Sequence, residues 1–211
     1  MTSESTLVVV AGPSASGKTT FIGQIKQRKR SLLVDETFES LCIPLGIKFA
    51  TVGANQARDS IRRGDGLLTS RPYRILHLDL TSKSRGKHLK FCPIIFSHFN
   101  SVCSIQIYLP YREWLNRIRA RIDAGEFISR HAKKLYEDAK DDYKLGERLY
   151  RRLYVRWENF LDVKRICNRI TIDPYEKIVF KRKPRDIRRN IFTRSVYAAI
   201  CRRPMLSDFR R

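Results

Sequence analysis

Leu7 to Ala11, LVVVA, is an unbroken apolar run that stops at a glycine-bearing turn, the pattern of a strand buried on both faces of a parallel sheet. After the turn, Phe21, Ile22 and Ile25 recur at helical spacing and predict a helix over Thr19–Lys29, with basic residues gathered at its end. Leu32 to Val34 is a short apolar run closed by Asp35 and Glu36, which predicts a second strand. Residues Asn55 to Arg63 read as a short helix ended by Gly64 and Gly66, and Ile75 to Leu80, ILHLDL, as a strand carrying Asp79. Ser104 to Leu109, SIQIYL, is a further strand stopped by Pro110. A helix over Tyr111–Asp123 follows, with Trp114, Leu115, Ile118 and Ile122 on its apolar face and a break at Gly125. A long helical region then runs from about Arg130 to Leu161, with Tyr136, Tyr143, Tyr150 and Trp157 at every seventh position and a bend expected at Gly146. Arg169 to Asp173, closed by Pro174, is the last predicted strand.

Strands alternating with helices predict an α/β fold around a central parallel sheet. No internal repeat of fixed period is present. The expected division is a folded domain over residues 1–178 and a basic C-terminal extension over 179–211. From Lys181 to Arg211 there are 11 Lys and Arg against 2 Asp, a net +9. Ile191, Phe192, Val196, Tyr197, Ala198, Ala199 and Ile200 nevertheless predict a short amphipathic helix there, docking on the body or on a membrane surface.

Composition changes this picture in one respect. Of 211 residues, 42% are hydrophobic and only 10 are Gly and 8 Pro, which excludes collagen-like and wholly disordered chains. However, 43 Lys and Arg against 21 Asp and Glu leave +22, so a polyanionic partner is expected. The 5 cysteines are scattered, with no CxxC pair and no histidine cluster, so reduced thiols are expected and a zinc site is not. The apolar run near the start is too short for a signal-peptide core or a membrane span, and a cytoplasmic location is expected.

The strongest chemical signal is Gly12 to Thr19, GPSASGKT, which satisfies GxxxxGK[ST] between a predicted strand and a predicted helix. Gly12 and Gly17 let the backbone curl through Pro13, Ser14, Ala15 and Ser16, so that amide N–H groups face inward at the positive end of a helix that continues through Thr20. Lys18 would reach the terminal phosphates of a triphosphate, and the Thr19 hydroxyl would coordinate Mg2+. The plain alternative is a glycine turn with no ligand. Here the chain resembles the P-loop nucleoside-triphosphate-binding superfamily. The wording GPS followed by GKT is similar to that of guanylate kinase and related small nucleotide and metabolite kinases. The resemblance spans Leu7 to Asp173 at the level of fold and is specific in the loop. It implies a three-layer P-loop fold with a helical lid within about residues 111–161, ATP and Mg2+ as ligands, and transfer of the γ-phosphate to a small-molecule acceptor. The basic GMP-binding stretch that follows the loop in guanylate kinase has no counterpart, so GMP is not implied.

The same resemblance suggests roles for acids and arginines. Asp35, 17 residues after Lys18, stands where such kinases hold a carboxylate that orients the acceptor hydroxyl; it reads either as that general base or as a helix-capping or turn Asp, with Glu36 a weaker substitute. Asp79 reads either as a Walker B metal-supporting carboxylate or as a turn residue, and His77 as a packed histidine. Arg117 and Arg121, with Arg119 nearby and Arg130 beyond Gly125, are either lid arginines that stabilise the transferring phosphoryl group or a solvated basic face. Arg58 and Arg62 would grip an anionic acceptor, and Pro174 with Tyr175 would cradle adenine. No NKxD, DxxG or LSGGQ motif is present, which disfavours GTPase and ABC-transporter readings.

Lys140, Lys144, Arg148, Arg152 and Arg156 recur every fourth residue along the long helical region, and Lys26, Arg28, Lys29 and Arg30 add to the basic surface. These cations suit RNA, DNA, acidic lipid or a polyphosphorylated substrate, or are a solvated face. The expected activity is an ATP-dependent kinase. The alternatives are a nucleic-acid-associated ATPase or polynucleotide kinase, and a nucleotide-binding module without turnover.

Overall fold

A computed structural model of the chain describes residues 5–26, 32–44, 47–68, 73–80, 87–173 and 178–181. Six strands, β1 (Thr6–Gly12), β2 (Ala50–Gly53), β3 (Tyr73–Asp79), β4 (Ser101–Ile107), β5 (Arg169–Asp173) and β6 (Ile178–Lys181), form one sheet in the order β2-β3-β1-β4-β5-β6. The first five are parallel, and β6 pairs antiparallel with β5. The described helices are α1 (Lys18–Lys26), α2 (Leu32–Ser40), α3 (Ala54–Arg63), α4 (Lys87–Phe96), α5 (Tyr111–Asp123), α6 (Arg130–Asp141) and α7 (Tyr143–Val163).

The central strand shows why the sheet is covered twice. Leu7, Val9 and Ala11 enter one apolar layer with Leu76, Leu78, Trp114, Leu135 and Trp157, whereas Val8 and Val10 enter a second with Ile75, Ile105, Phe21 and Phe38. A strand whose alternate residues point to opposite faces cannot be polar on either when both faces are packed. Each such buried Val or Leu contributes about 1.5–3 kcal/mol. The first layer is built from α3 to α7 and the second from α1 and α2, giving helices on both sides of the sheet. No helix among the described residues is long and apolar enough to cross a membrane.

Two expectations are corrected. Leu32–Val34 is not a strand but the first turn of α2. Leu33, Val34, Thr37, Phe38 and Leu41 are all buried, at helical spacing, so the period emerges only when the residues beyond Asp35 are counted. The long region from Arg130 is two helices separated at Asp142, whose carboxylate accepts the Leu145 N–H at 3.0 Å and caps α7. Gly146 lies in the first turn of α7; a Cβ there would contact the Tyr111 hydroxyl and lie 2.7 Å from Ala139 Cβ, so the glycine lets α6 and α7 approach closely. β2, β6 and α4, which carries an internal Pro93, were not anticipated.

The chain divides into a unit ending at Lys181 and a second, residues 182–211, that lies outside the described residues with the predicted amphipathic helix at Ile191–Ile200. The strand order positions the site. The connection leaving β1 leads to β2 on one side of it, and that leaving β4 leads to β5 on the other. Such a reversal opens a crevice at the carboxyl ends of β1 and β4, the usual ligand position in open α/β sheets.

Candidate functional site

β1 ends at Gly12, and Pro13 to Gly17 turn the chain before α1 begins at Lys18. Ala15 and Gly17 adopt φ of 65° and 98°. Gly17 does so freely, whereas for Ala15 the left-handed conformation costs about 1–2 kcal/mol, strain that the turn's other contacts must offset. Ser16 N–H donates to Pro13 O at 3.2 Å and Phe21 N–H to Gly17 O at 3.0 Å. Gly12 is required by close approach, because a Cβ would lie 2.6 Å from Ser16 Oγ and 2.9 Å from the Ile107 carbonyl oxygen. From α5, the fully buried Trp114 donates its indole N–H to the Ser14 carbonyl at 2.9 Å and braces the turn.

Lys18 is 3% exposed; its Nζ donates to Pro13 O at 2.6 Å and pairs with Asp79 Oδ1 at 2.7 Å. Burial pushes the ammonium below its ordinary range, the Asp79 carboxylate opposes this, and the charge of Arg121 adds to the lowering. Asp79, the last residue of β3, keeps its side chain 45% exposed. Thr19 and Thr20 are exposed in the first turn of α1. The Ser16 hydroxyl is fully buried and makes no hydrogen bond among the described residues. A buried hydroxyl so left costs about 1–3 kcal/mol, and an anionic oxygen seated in the turn would supply the missing partner.

α5 carries the two expected arginines. Arg121 acts electrostatically on Lys18, and its Nε lies 3.3 Å from Glu126 Oε2. Arg117 is half-buried; burial lowers its pKa, Glu113 and Asp173 oppose this, and Arg121 adds to the lowering. The structure thus brings Lys18 within reach of Asp79 and Arg121, and Arg117 within reach of Arg121 and Asp173. Arg119 instead pairs with Asp123 on the exposed side of α5 at 3.8 Å, and Arg130 is exposed at the start of α6. His77 is half-buried, its Nε2 without a hydrogen bond among the described residues. Burial lowers its pKa, Lys18 acts in the same direction, and Asp79 opposes both.

Asp35 is not brought to this cluster. It lies in the first turn of α2, and Phe38, one helical turn further on, meets the Phe49 ring at 5.5 Å. Phe49 in turn meets Tyr73 at 5.9 Å, and Tyr73 begins β3, the end of that strand away from Asp79. Six residues of strand separate those ends, about 20 Å. Glu36 shares the position of α2. Arg58 and Arg62 lie with their guanidinium carbons 5.9 and 5.6 Å from the Phe91 ring centre, and Arg58 also pairs with Asp59 at 3.0 Å. Pro174 and Tyr175, like Arg28, Lys29 and Arg30, lie outside the described residues. The contact that sequence reasoning missed is Trp114 to Ser14. Its partners are 100 positions apart, and nothing local signals it.

The oxygen set suits magnesium rather than a softer metal: a hydroxyl on Thr19 and a carboxylate on Asp79 are hard ligands. Among the described residues no three His, Cys, Asp or Glu side chains gather into a metal cluster. Magnesium that rides on phosphates and water needs only one or two protein oxygens. A scan against protein-family models finds no match to this chain, and a comparison with curated proteins finds none either.

Proposed function

We propose that this chain binds the phosphates of Mg·ATP on the Gly12–Thr20 turn and transfers the γ-phosphate to a small-molecule acceptor. The observation that carries the reading is the state of Lys18. Its buried ammonium is held between the Pro13 carbonyl and the Asp79 carboxylate, at a turn that also holds a Ser16 hydroxyl with no partner among the described residues. A cation stabilised by an exposed carboxylate rather than by a permanent interior network can be handed to a competing anion. Incoming phosphate oxygens would accept the Nζ hydrogen bonds now made to Pro13 and Asp79. The released Asp79 would then hold magnesium together with Thr19. When bound, that ion neutralises charge on the phosphate oxygens.

The remaining chemistry is positioning and electrostatics. The turn fixes the phosphates because Gly12, packed against Ile107, and Trp114, bonded to Ser14, leave it little freedom. Arg121, which acts on Lys18, and Arg117 beside it would extend positive charge from α5 to the transferring group, Arg121 after leaving Glu126. Asp35 is left out of this machinery because Phe38, one turn further along α2, packs through Phe49 against Tyr73 at the end of β3 away from Asp79.

The test is transfer of label from γ-phosphate-labelled ATP, with magnesium and a metabolite-plus-RNA extract, by the full chain and its Lys18→Ala variant. Asp79 is half exposed and can be hydrated when Lys18 is absent, so the variant is expected to stay folded, as circular dichroism would show. Lysine-dependent label in a small metabolite is the expected result. Label released only as free phosphate, or equal transfer by both proteins, refutes the kinase reading. Failure of the folded wild-type chain to bind ATP refutes the nucleotide site itself.

A further inference from the structure

The corner at Asp142 divides the row of cations anticipated along one long helix. Lys140 ends up on α6, with its Nζ 5.0 Å over the Tyr136 ring, and Lys144, Arg148, Arg152 and Arg156 remain together on α7. All four are exposed. Four-residue steps rise about 6 Å and turn about 40° each, so the row is about 18 Å long and sweeps about a third of the helix circumference. Its orientation is set from behind: Tyr150, Leu153, Tyr154, Trp157 and Leu161 are buried against the sheet layer. Of the acids of the helix, Glu147 pairs with Arg151 at 2.5 Å, and Glu158 and Asp162 with the buried Arg169. Like charges at this spacing oppose the helix by about 0.2–0.5 kcal/mol per neighbouring pair, an expense that folding alone does not require.

We propose that the exposed face of α7 is a docking strip for the sugar-phosphate backbone of a nucleic acid. A rigid row of cations at a constant interval matches a polymer of regularly spaced phosphates, whose counterions it releases on binding. Phosphate contacts of this kind carry no sequence information, so binding tolerates any sequence. An acidic bilayer fits less well. A helix that lies in a membrane interface presents an apolar row beside its basic one, and the apolar row of α7 is occupied by its own core. The strip does not depend on the nucleotide reading of the Gly12–Thr20 turn.

The experiment is fluorescence anisotropy of a labelled single-stranded oligonucleotide with the full chain, titrated across a range of salt. Lys144→Gln/Arg148→Gln/Arg152→Gln/Arg156→Gln is compared with a control that loses the same charge from other exposed positions, Lys48→Gln/Arg112→Gln/Lys133→Gln/Lys134→Gln. Each lost phosphate contact reduces the slope of log K against log salt by about 0.7, so the strip variant is expected to lose about 3 of slope and at least tenfold in affinity at low salt. The control should lose less than a third of that. Single Arg148→Gln and Arg152→Gln variants, each lowering the slope by about 0.7, give the same readout if the fourfold variant folds poorly. The proposal is overturned if the wild-type chain does not bind the oligonucleotide, or if strip and control variants lose equally. It is also overturned if the strip substitutions abolish binding to phosphatidylserine vesicles while leaving the oligonucleotide unaffected.

Discussion

Replacing Gly146 by Ala tests the packing of the two helices that flank Asp142. In an isolated or exposed helix this change stabilises by about 1 kcal/mol, because Gly exposes backbone and loses more freedom on folding. Here the sign should reverse. The new Cβ would contact the Tyr111 hydroxyl and lie 2.7 Å from Ala139 Cβ and 2.8 Å from Ala139 Cα. A side chain can rotate away but the backbone of α6 cannot, so the cost belongs at the upper end of the about 1–3 kcal/mol typical of overpacking. Set against the helix-propensity gain, the net loss is about 2 kcal/mol. For a chain of this length that is a fall in Tm of about 4–8 °C. Urea unfolding followed by tryptophan fluorescence reads it directly, since Trp114 and Trp157 are both fully buried. Adding Ala139→Gly removes the shorter of the two Ala139 contacts and should restore part of the loss, with a coupling of about 1 kcal/mol in the double-mutant cycle. An unchanged or raised urea midpoint for Gly146→Ala, or strictly additive effects in the double variant, would refute the close approach of α6 and α7.

Arg169→Met leaves the carboxylates of Glu158 and Asp162 without their buried partner and should cost about 3–5 kcal/mol in urea unfolding; a loss below about 1 kcal/mol would show that water already reaches them. A thiol reagent applied to the native protein should modify the exposed Cys42 and Cys167 and spare Cys103 and Cys92, whose thiol burial pushes up to about 12. Peptide mapping that finds Cys92 labelled as fast as Cys42 contradicts the packing of α4. The Ser60 hydroxyl and Arg63 hold the Asp65 carboxyl at about 2, below its ordinary 3.8, so the ionised form favours the fold. That contribution is complete above about pH 4 and disappears as pH falls towards 2. Asp65→Asn should therefore flatten the dependence of the urea midpoint over that window, and an unaltered acid profile would discount the contact.

Several elements were readable from local pattern because their physics is local. LVVVA is buried on both faces and announces itself as an uninterrupted apolar run, and Tyr111–Asp123 shows its apolar face at helical period between Pro110 and Gly125. Gly64 ends α3 in the left-handed conformation that its lack of a Cβ permits. The misreading of Leu32–Val34 came from the opposite circumstance: three apolar residues contain no period, and α2 is a helix because Thr37, Phe38 and Leu41 extend the same buried face. β2 and β6, at 4 residues each, have too little length for alternation to register; β2 also pairs with β3, about twenty residues on, whereas β6 folds back on the neighbouring β5.

The site divides along the same line. Gly12 to Thr19 was legible because a tight turn between strand and helix restricts residue types at consecutive positions, and the close approach of Ile107 to Gly12 shows one of those restrictions at work. The separation of Asp35 from Lys18, the bond from Trp114 to Ser14 and the bearing of Arg121 on Lys18 depend on which strands lie side by side and which helix covers which face. Sequence spacing records distance along the chain. Only the β2-β3-β1-β4-β5-β6 order converts it into distance through space, and that conversion placed Asp79 against Lys18 and α2 elsewhere.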